Sequence, residues 1–181
     1  MKQTVRIVGG QYRGKKIPFP DSEGLRPTPD RVRETVFNWL MHDIRDAHCL
    51  DAFAGSGAMG FEAFSRGASE VCLIEQSHTV FANLQSIISG FNSPRLTAIH
   101  TDAIEFIRQT KRSFDIIFLD PPFTSNLLPT YLNEISQSTL LNPGGLVYIE
   151  SSSQIDIPQS IWKTLKYKKA GQVFYGLLTR L

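Results

Sequence analysis

Residues 120–123 of this 181-residue chain, Asp-Pro-Pro-Phe, directly follow the apolar run FDIIFL. The exocyclic amine of a nucleobase is a poor nucleophile, because its lone pair is delocalised into the ring. The carboxylate of Asp120 and the backbone carbonyl of Pro121 can accept its two hydrogens, while Pro121 and Pro122 hold φ near about −65°. Phe123 offers a face on which the base can stack. The segment could therefore aim an amine at an activated methyl group, although by itself it fits an ordinary turn after a buried strand equally well.

A glycine-rich loop, DAFAGSGAMGFEA, lies earlier in the chain. Its glycines Gly55, Gly57 and Gly60 form the pattern G-x-G-x-x-G between an expected strand and an expected helix. Glycines at this spacing let the backbone turn sharply and let a ligand approach the helix N-terminus. Glu75 follows Gly55 by 20 residues at the end of the next apolar run, where a carboxylate can bind both ribose hydroxyls. The pattern predicts a nucleoside-containing cofactor, or else a tight turn without a ligand.

Asp51 bears on the identity of this cofactor. It stands at the expected end of the strand before the glycine loop, where its charge repels a pyrophosphate and attracts an ammonium group. A dinucleotide places its pyrophosphate on the helix N-terminus, whereas S-adenosylmethionine has no phosphate and carries cationic groups. Asp51 therefore favours S-adenosylmethionine. Asp102, after a third apolar run, could accept a hydrogen bond from the adenine amine or cap the next helix, and both interpretations stay open.

These residues require strands that end at one edge of a sheet, and the hydrophobic pattern provides them. Apolar runs alternate with helix-like stretches, which predicts an α/β fold with a mostly parallel sheet covered on both faces. The expected strands are residues 48–53, 70–75, 96–100, 114–119 and 145–150, and the expected helices are residues 57–66, 77–90, 102–111 and 125–138. Residues 162–181 should form an antiparallel strand pair that turns at Ala170–Gly171. A further helix should begin earlier, with Thr28 as its N-cap and Pro29 at its first position.

Open parallel sheets bind ligands beyond the carboxyl ends of their strands, at the point where the strand order reverses. The first strand of the expected sheet ends at Asp51, and the fourth ends at Asp120. If these two strands are neighbours, both carboxylates open onto one crevice, with the methyl donor beside one and the base beside the other. This adjacency is the geometric condition on which the hypothesis depends.

Composition and charge place further limits on the chain. Hydrophobic residues make up 41% and charged residues 20%, as in ordinary globular proteins. No apolar stretch suits a signal peptide or a membrane span, so we expect a cytoplasmic protein. The histidines and cysteines lack metal-ligand spacing, and Cys49 and Cys72 are expected to be reduced core thiols. The first 20 residues carry five basic residues and no acid, and residues 160–181 show the same imbalance. This suggests either a polyanionic partner or solvated lysines.

The quoted segments resemble a known group of enzymes. DPPF matches the [ND]-P-P-[FYW] signature of amino-methylating nucleic-acid methyltransferases, and the glycine loop is similar to their S-adenosylmethionine loop. RIVGGQYRGKKI, LRPTPDRVRETVFNWL and DPPF occur in the order seen in the RsmD family of bacterial 16S ribosomal RNA guanine-N2 methyltransferases. The resemblance spans nearly the whole chain. It implies a Rossmann-like class I methyltransferase fold with seven strands in the order 3-2-1-4-5-7-6, one of them antiparallel. The loose alternation of residues 5–26, with its glycines and prolines, separately predicts a small N-terminal β-hairpin extension.

The resemblance also implies roles for residues of this chain. S-adenosylmethionine would be the methyl donor, and the N2 amine of one guanine in 16S ribosomal RNA of the small ribosomal subunit would be the acceptor. We expect a basic hairpin extension at residues 1–27 and a methyltransferase domain at residues 28–181, acting as a monomer without a metal. The predicted catalytic residues are Asp120, Pro121, Pro122 and Phe123. The predicted cofactor residues are Asp51, Phe53, Gly55, Gly57, Glu75, Asp102 and Ala103. The predicted RNA contacts are Arg6, Arg13, Lys15, Lys16 and Arg26.

Three alternatives share part of this pattern. A DNA adenine-N6 methyltransferase carries the same signature, although 181 residues leave no obvious room for a target-recognition domain. A nicotinamide-dependent oxidoreductase carries a similar glycine loop, although Asp51 and Asp120 disfavour it. A non-catalytic S-adenosylmethionine-binding factor in ribosome assembly would keep the fold, although the intact DPPF segment argues against lost chemistry.

Overall fold

A computed structural model describes residues 3–123 and 126–181 of the chain. Its strands are β1 (Gln3–Arg6), β2 (Lys16–Phe19), β3 (His48–Asp51), β4 (Glu70–Glu75), β5 (Leu96–His100), β6 (Phe114–Leu119), β7 (Leu141–Ser151), β8 (Trp162–Ala170) and β9 (Val173–Arg180). Its helices are α1 (Asp30–Trp39), α2 (Ala58–Ser65), α3 (His78–Phe91), α4 (Ala103–Gln109) and α5 (Leu128–Ser136). The expected start of the last helix, at residue 125, lies outside the described residues. Among the helices described, none has both the length and the apolar character needed to cross a bilayer.

Strands β3 to β9 form one seven-stranded sheet in the order β5-β4-β3-β6-β7-β9-β8. Strands β3 to β7 run parallel to one another, and β9 runs antiparallel to both of its neighbours. Numbered within the sheet, this is the order 3-2-1-4-5-7-6, so the predicted fold class is confirmed. The order reverses between β3 and β6, where Asp51 pairs in register with Phe118. The strand adjacency that the hypothesis requires is therefore present.

Side chains on the two faces of the sheet belong to two hydrophobic cores. The core on one face includes residues of α1, α2 and α3, with Phe61 and Phe118 among its members. The core on the other face includes residues of α4 and α5, with Ile149 among its members. Strands covered on both faces have nearly continuous apolar sequences, which is why they were recognisable. Cys49 and Cys72 lie in opposite cores, buried and unpaired, as predicted.

The N-terminal hairpin is built into the first of these cores. Strands β1 and β2 pair antiparallel, and the partners Val5 and Ile17 are both buried. The chain after β1 is tied to α2, because the backbone N–H groups of Val8 and Gly9 donate to the Glu62 carboxylate at 2.9 and 2.8 Å. The basic extension is therefore anchored on the helix that follows the glycine loop.

The start of α1 differs from the sequence-based expectation. The helix begins at Asp30, Pro29 precedes it with φ of −55°, and no side chain of the described residues caps its first N–H groups. The predictions of Thr28 as the N-cap and of Pro29 as the first helical residue are therefore wrong, because Pro29 occupies the cap position. Thr28 lies one residue before the cap position, and its hydroxyl contacts the carboxylates of Asp120 and Glu150 instead.

Candidate active site

The predicted cofactor residues lie at the C-terminal ends of three neighbouring strands. Asp51 ends β3, Glu75 ends β4, and Asp102 follows β5 by two residues. The Glu75 carboxylate accepts the backbone N–H groups of Gly55 at 3.0 Å and of Ser77 at 2.7 Å. One carboxylate thus connects the glycine loop with the segment that leads into α3.

The three glycines of the loop meet different requirements. Gly55 and Gly57 have φ of +50° and +77°, in a region that glycine adopts without steric cost. At Gly60, a Cβ atom would lie 2.9 Å from the Leu73 side chain and 3.3 Å from Asp51 Oδ2. Gly60 therefore allows α2 to approach the sheet closely, as in loops that bind nucleotide-type cofactors.

Asp51 is a buried carboxyl group, with 2% of its surface exposed. Burial raises its pKa from 3.8 to about 7, hydrogen bonds from the backbone N–H groups of Gly60 and Phe53 oppose the rise, and the charge of Glu75 adds to it. The Gly60 bond to Asp51 Oδ2 measures 3.0 Å. A carboxyl group with this pKa ionises readily when a cation is bound beside it, so the residue suits a cationic ligand.

Asp102 is the N-cap of α4, which confirms one of its two interpretations. Its Oδ1 accepts two backbone N–H groups of the first turn, so the cap does not occupy Oδ2. Ala103, the first residue of α4, is buried. Phe53 meets Tyr131 edge-on, with 4.9 Å between the ring centroids, and the charge of Asp102 acts on Tyr131. These residues border the same end of the sheet, and the adenine contacts of Phe53, Asp102 and Ala103 stay predictions.

Asp120 and the residues after it lie at the end of β6. Pro121 is buried, while Pro122 and Phe123 are exposed, with 49% of the Phe123 surface accessible. A small cavity is lined by all three residues together with Glu150. The exposed ring of Phe123 beside a cavity is suited to stacking on a base, and its role in base binding stays a prediction.

Four carboxylates, which we call the carboxylate row, lie at or just beyond the ends of neighbouring strands: Glu75, Asp51, Asp120 and Glu150. Within residues 3–123 and 126–181, none of the four forms an ion pair with Lys, Arg or His. The same part of the chain contains no group of three or more His, Cys, Asp or Glu arranged to hold a metal ion. The row is therefore an edge of acidic groups that lacks a counter-ion within the described residues, and it can become negative when a cation binds beside it.

The carboxyl groups in the middle of the row affect the pKa of one another through their charges. Burial raises the pKa of Asp120 well above its usual value, the charges of Glu150 and Asp51 raise it further, and a hydrogen bond from Thr28 opposes the rise. Asp51 and Asp120 therefore lie within electrostatic reach of one another. A cation placed between them would relieve their repulsion, which fits the positively charged S-adenosylmethionine and disfavours a pyrophosphate.

Sequence reasoning missed two residues of this site, Thr28 and Glu150. Strand β7 pairs with β6 so that Ile149 lies opposite Leu119, which places Glu150 beside Asp120. The available signal was an acid at the end of two apolar runs, IIFLD and VYIE. Thr28 contacts both carboxylates, and no local pattern distinguishes this role from that of a helix cap.

Arg33 holds Thr28 in place. This side chain is 1% exposed, and its Nε donates to the backbone carbonyl of Thr28 at 3.1 Å. Its guanidinium also bonds Glu62 at 3.1 Å and pairs with Asp30. Because Glu62 accepts the hairpin N–H groups as well, one buried ion pair fixes both the hairpin and the segment that reaches Asp120.

The predicted RNA contacts are all exposed, but they occupy different places. Arg6 and Lys16 are register partners in the hairpin and line a groove together with Thr28. Lys15 Nζ lies 4.8 Å above the ring of Phe91 on α3. Arg13 lies in the turn between β1 and β2, and Arg26 lies in the segment before α1. The groove thus joins two basic residues to the residue that touches Asp120.

Comparison with known proteins agrees with this geometry. Residues 5–179 match the family described as conserved hypothetical protein 95. Ribosomal RNA small subunit methyltransferase D of Escherichia coli (strain K12) is 43% identical over 178 residues, covering 97% of this chain and 90% of that protein. The protein of the same name from Haemophilus influenzae is 41% identical over 182 residues, covering 97% and 94%. A solved Escherichia coli structure assigned as a methyltransferase has a TM-score of 0.89 and 42% identity, covering 98% of both chains. The resemblance found in the motifs is thereby confirmed, and the chain belongs to the conserved hypothetical protein 95 family, the family of the ribosomal RNA small subunit methyltransferase D proteins.

Proposed function

We propose that this protein transfers a methyl group from S-adenosylmethionine to the exocyclic N2 amine of one guanine in 16S ribosomal RNA. The observation that carries this proposal is the pairing of β3 with β6, because it brings Asp51 on the glycine-loop side within electrostatic reach of Asp120 on the Pro-Pro-Phe side. The relatives named ribosomal RNA small subunit methyltransferase D support the choice of substrate. The specific guanine and its N2 position follow the RsmD resemblance.

The cofactor would be held along the carboxylate row. S-adenosylmethionine supplies a methyl group that is activated by its positive sulfur. Asp51 offsets the positive charge, and Glu75 binds the ribose hydroxyls, because each of its oxygens already accepts one N–H and can accept a second hydrogen. Asp102 accepts from the adenine amine, while Phe53 and Ala103 border the adenine ring. Gly55 and Gly57 keep the loop backbone close to the ligand.

The target base would be held by the residues at the end of β6. Asp120 and the carbonyl of Pro121 accept the two hydrogens of the amine and thereby direct its nitrogen at the methyl group. Pro122 stiffens this corner, and Phe123 stacks on the base, which is worth about 1–3 kcal/mol. The guanine must leave its own stack to reach the crevice, at a cost of a few kcal/mol.

The RNA backbone would be held by the hairpin and the segment before α1. Arg6 and Lys16 bind phosphates at the groove beside Thr28, and Arg13, Lys15 and Arg26 extend this basic surface. In this proposal residues 1–27 form the RNA-binding extension and residues 28–181 form the catalytic domain. The protein acts as a monomer in the cytoplasm.

The experiment that tests the function uses small ribosomal subunits from cells that lack this methylation. Labelled S-adenosylmethionine and the protein should produce N2-methylguanosine at one site, located by nucleoside mass mapping, while duplex DNA should stay unlabelled. Asp120→Ala should abolish transfer and leave the cofactor affinity, measured by calorimetry, mostly unchanged. The matched control is Asp156→Ala, which removes an exposed carboxylate and should transfer normally. Full activity of Asp120→Ala would remove Asp120 from the mechanism, and labelled adenine in DNA would favour the DNA methyltransferase instead.

A further inference from the structure

Thr28 bridges two carboxylates that end neighbouring strands. Its Oγ1 lies 3.4 Å from Asp120 Oδ2 and 3.3 Å from Glu150 Oε2. The Tyr148 hydroxyl donates to the same Glu150 oxygen at 2.8 Å. Thr28 and Glu150 are 5% and 4% exposed, so water competes little for these contacts.

The number of hydrogens available in this bridge limits which of its two contacts can be a hydrogen bond. A threonine hydroxyl has one hydrogen, so Thr28 can donate to only one of the two carboxyl groups at a time. The second contact becomes a hydrogen bond when the other carboxyl group is protonated and donates to Thr28 Oγ1. Glu150 is buried and Asp120 is partly buried, and two carboxylates joined through one hydroxyl resist simultaneous ionisation. The geometry therefore fits a pair that can hold one proton through Thr28. A positive charge bound beside the pair favours loss of that proton, and the ionised pair can then take one up.

No basic side chain offsets this pair in the described structure. The titratable groups that face it are Asp51 from β3, Tyr148 from β7 and Tyr175 from β9, which is the register partner of Glu150. On α1, the guanidinium of Arg33 is directed at other partners. Burial raises the pKa of Glu150, and the hydrogen bonds from Tyr148 and Thr28 oppose that rise.

We propose that Asp120, Thr28 and Glu150 form a proton relay, in which Glu150 takes up the proton that the target amine releases. This rests on the proposed function for its substrate. As the N–C bond forms and the C–S bond breaks, with its electron pair staying on sulfur, the amine nitrogen becomes positive and gives a proton to Asp120. Asp120 protonates Thr28 Oγ1, and the hydrogen of Thr28 moves to Glu150 Oε2. The carboxyl pair thus gains one positive charge when the sulfur loses one, so the net charge of the site is conserved.

The proton that reaches Glu150 also has a path to solvent. Glu150 lines the small cavity at Pro122 and Phe123, together with Ser152 and Ser153, both of which are exposed. A proton on Glu150 can therefore pass to solvent on the side where the base leaves. Glu150 is a positioning residue in this scheme, because it acts on the substrate through Asp120.

The first test measures the free protein and needs no enzymatic activity. The titration of Asp120 is followed by carbon NMR of labelled carboxyl groups in the wild type, Glu150→Gln and Thr28→Val. Glu150→Gln removes a like charge and should move the Asp120 midpoint to lower pH, whereas Thr28→Val removes a stabilising hydrogen bond and should move it to higher pH. An Asp120 midpoint that neither variant moves would overturn the proton-sharing pair.

The second test measures turnover on small ribosomal subunits. Glu150→Gln and Thr28→Val should each lower kcat by about 100-fold, at the lower end of what positioned proton transfer contributes, with little change in KM. Thr28→Ser keeps the hydroxyl and should restore most of kcat. If Thr28→Val were as active as wild type, or if Thr28→Ser were as impaired as Thr28→Val, the relay would be refuted. Inactivity of the wild type would instead refute the proposed function. The NMR titration would still show whether Asp120 and Glu150 share a proton.

Discussion

Replacing Asp51 by Asn should stabilise the free protein and weaken its cofactor binding. The pKa of Asp51 rises from 3.8 to about 7 on folding because the group is buried. The folded state therefore binds this proton more tightly than the unfolded state does, and stability falls as pH rises from about 4 to about 7. At 1.36 kcal/mol per pKa unit, the ionised carboxylate costs the folded state at most about 4 kcal/mol above pH 7. Asn resembles the neutral acid and can still accept the Gly60 N–H, so it avoids this cost.

The assay is urea denaturation of the free protein at pH 5 and at pH 8. The stability advantage of Asp51→Asn over wild type should grow by about 2–3 kcal/mol between the two pH values. Calorimetry should show at least about tenfold weaker binding of S-adenosylmethionine, because the variant lacks the charge that faces the cation. Asp156→Asn, at an exposed site, serves as the control and should change neither quantity. An Asp51→Asn stability difference that is the same at both pH values would refute the argument from burial.

Three further predictions concern the loop, the base platform and the hairpin. Gly60→Ala places a methyl group 2.9 Å from the Leu73 side chain and should lower the free energy of unfolding by about 1–3 kcal/mol; unchanged urea denaturation would show that α2 can move away. Phe123→Ala should weaken RNA binding by about 1–3 kcal/mol in a filter-binding assay without changing cofactor affinity, and unchanged RNA affinity would exclude stacking. Arg6→Gln combined with Lys16→Gln should reduce the magnitude of the slope of log affinity against log salt by about 1.4–1.8; an unchanged slope would place the RNA backbone elsewhere.

Much of the site could be predicted because buried parallel strands have short apolar sequences that are recognisable without the rest of the chain. Apolar runs that end in an acid gave the positions of Asp51, Glu75 and Asp120 before any coordinates, since the carboxyl ends of such strands share one edge of the sheet. Periodicity does not say which strands are neighbours, and the order of the sheet came from the family resemblance. The pairing of β3 with β6 is a contact between segments distant in the chain.

Thr28 shows why the other contacts of the site could not be predicted from the sequence. A threonine before Pro-Asp at the start of an amphipathic segment has the local pattern of a helix cap, and it was predicted as one. Its actual partners, Asp120 and Glu150, are 92 and 122 residues away in the sequence. A hydroxyl bonds whatever acceptor the packed chain brings to it, so only the tertiary structure could assign this contact.

The amino-acid sequence by itself determined the alternation of strands and helices, the glycine loop, the acids at the strand ends and the family. Apart from the family, which rests on several segments along the chain, these features are local, because backbone preference and hydrophobic periodicity act over a few neighbouring residues. The tertiary structure decided that Glu150 joins the carboxylate row, that the row has no counter-ion within the described residues, and that the pKa values of Asp51 and Asp120 are raised. The physical reason is that desolvation and charge–charge repulsion act through space, between groups that the chain brings together only when it folds.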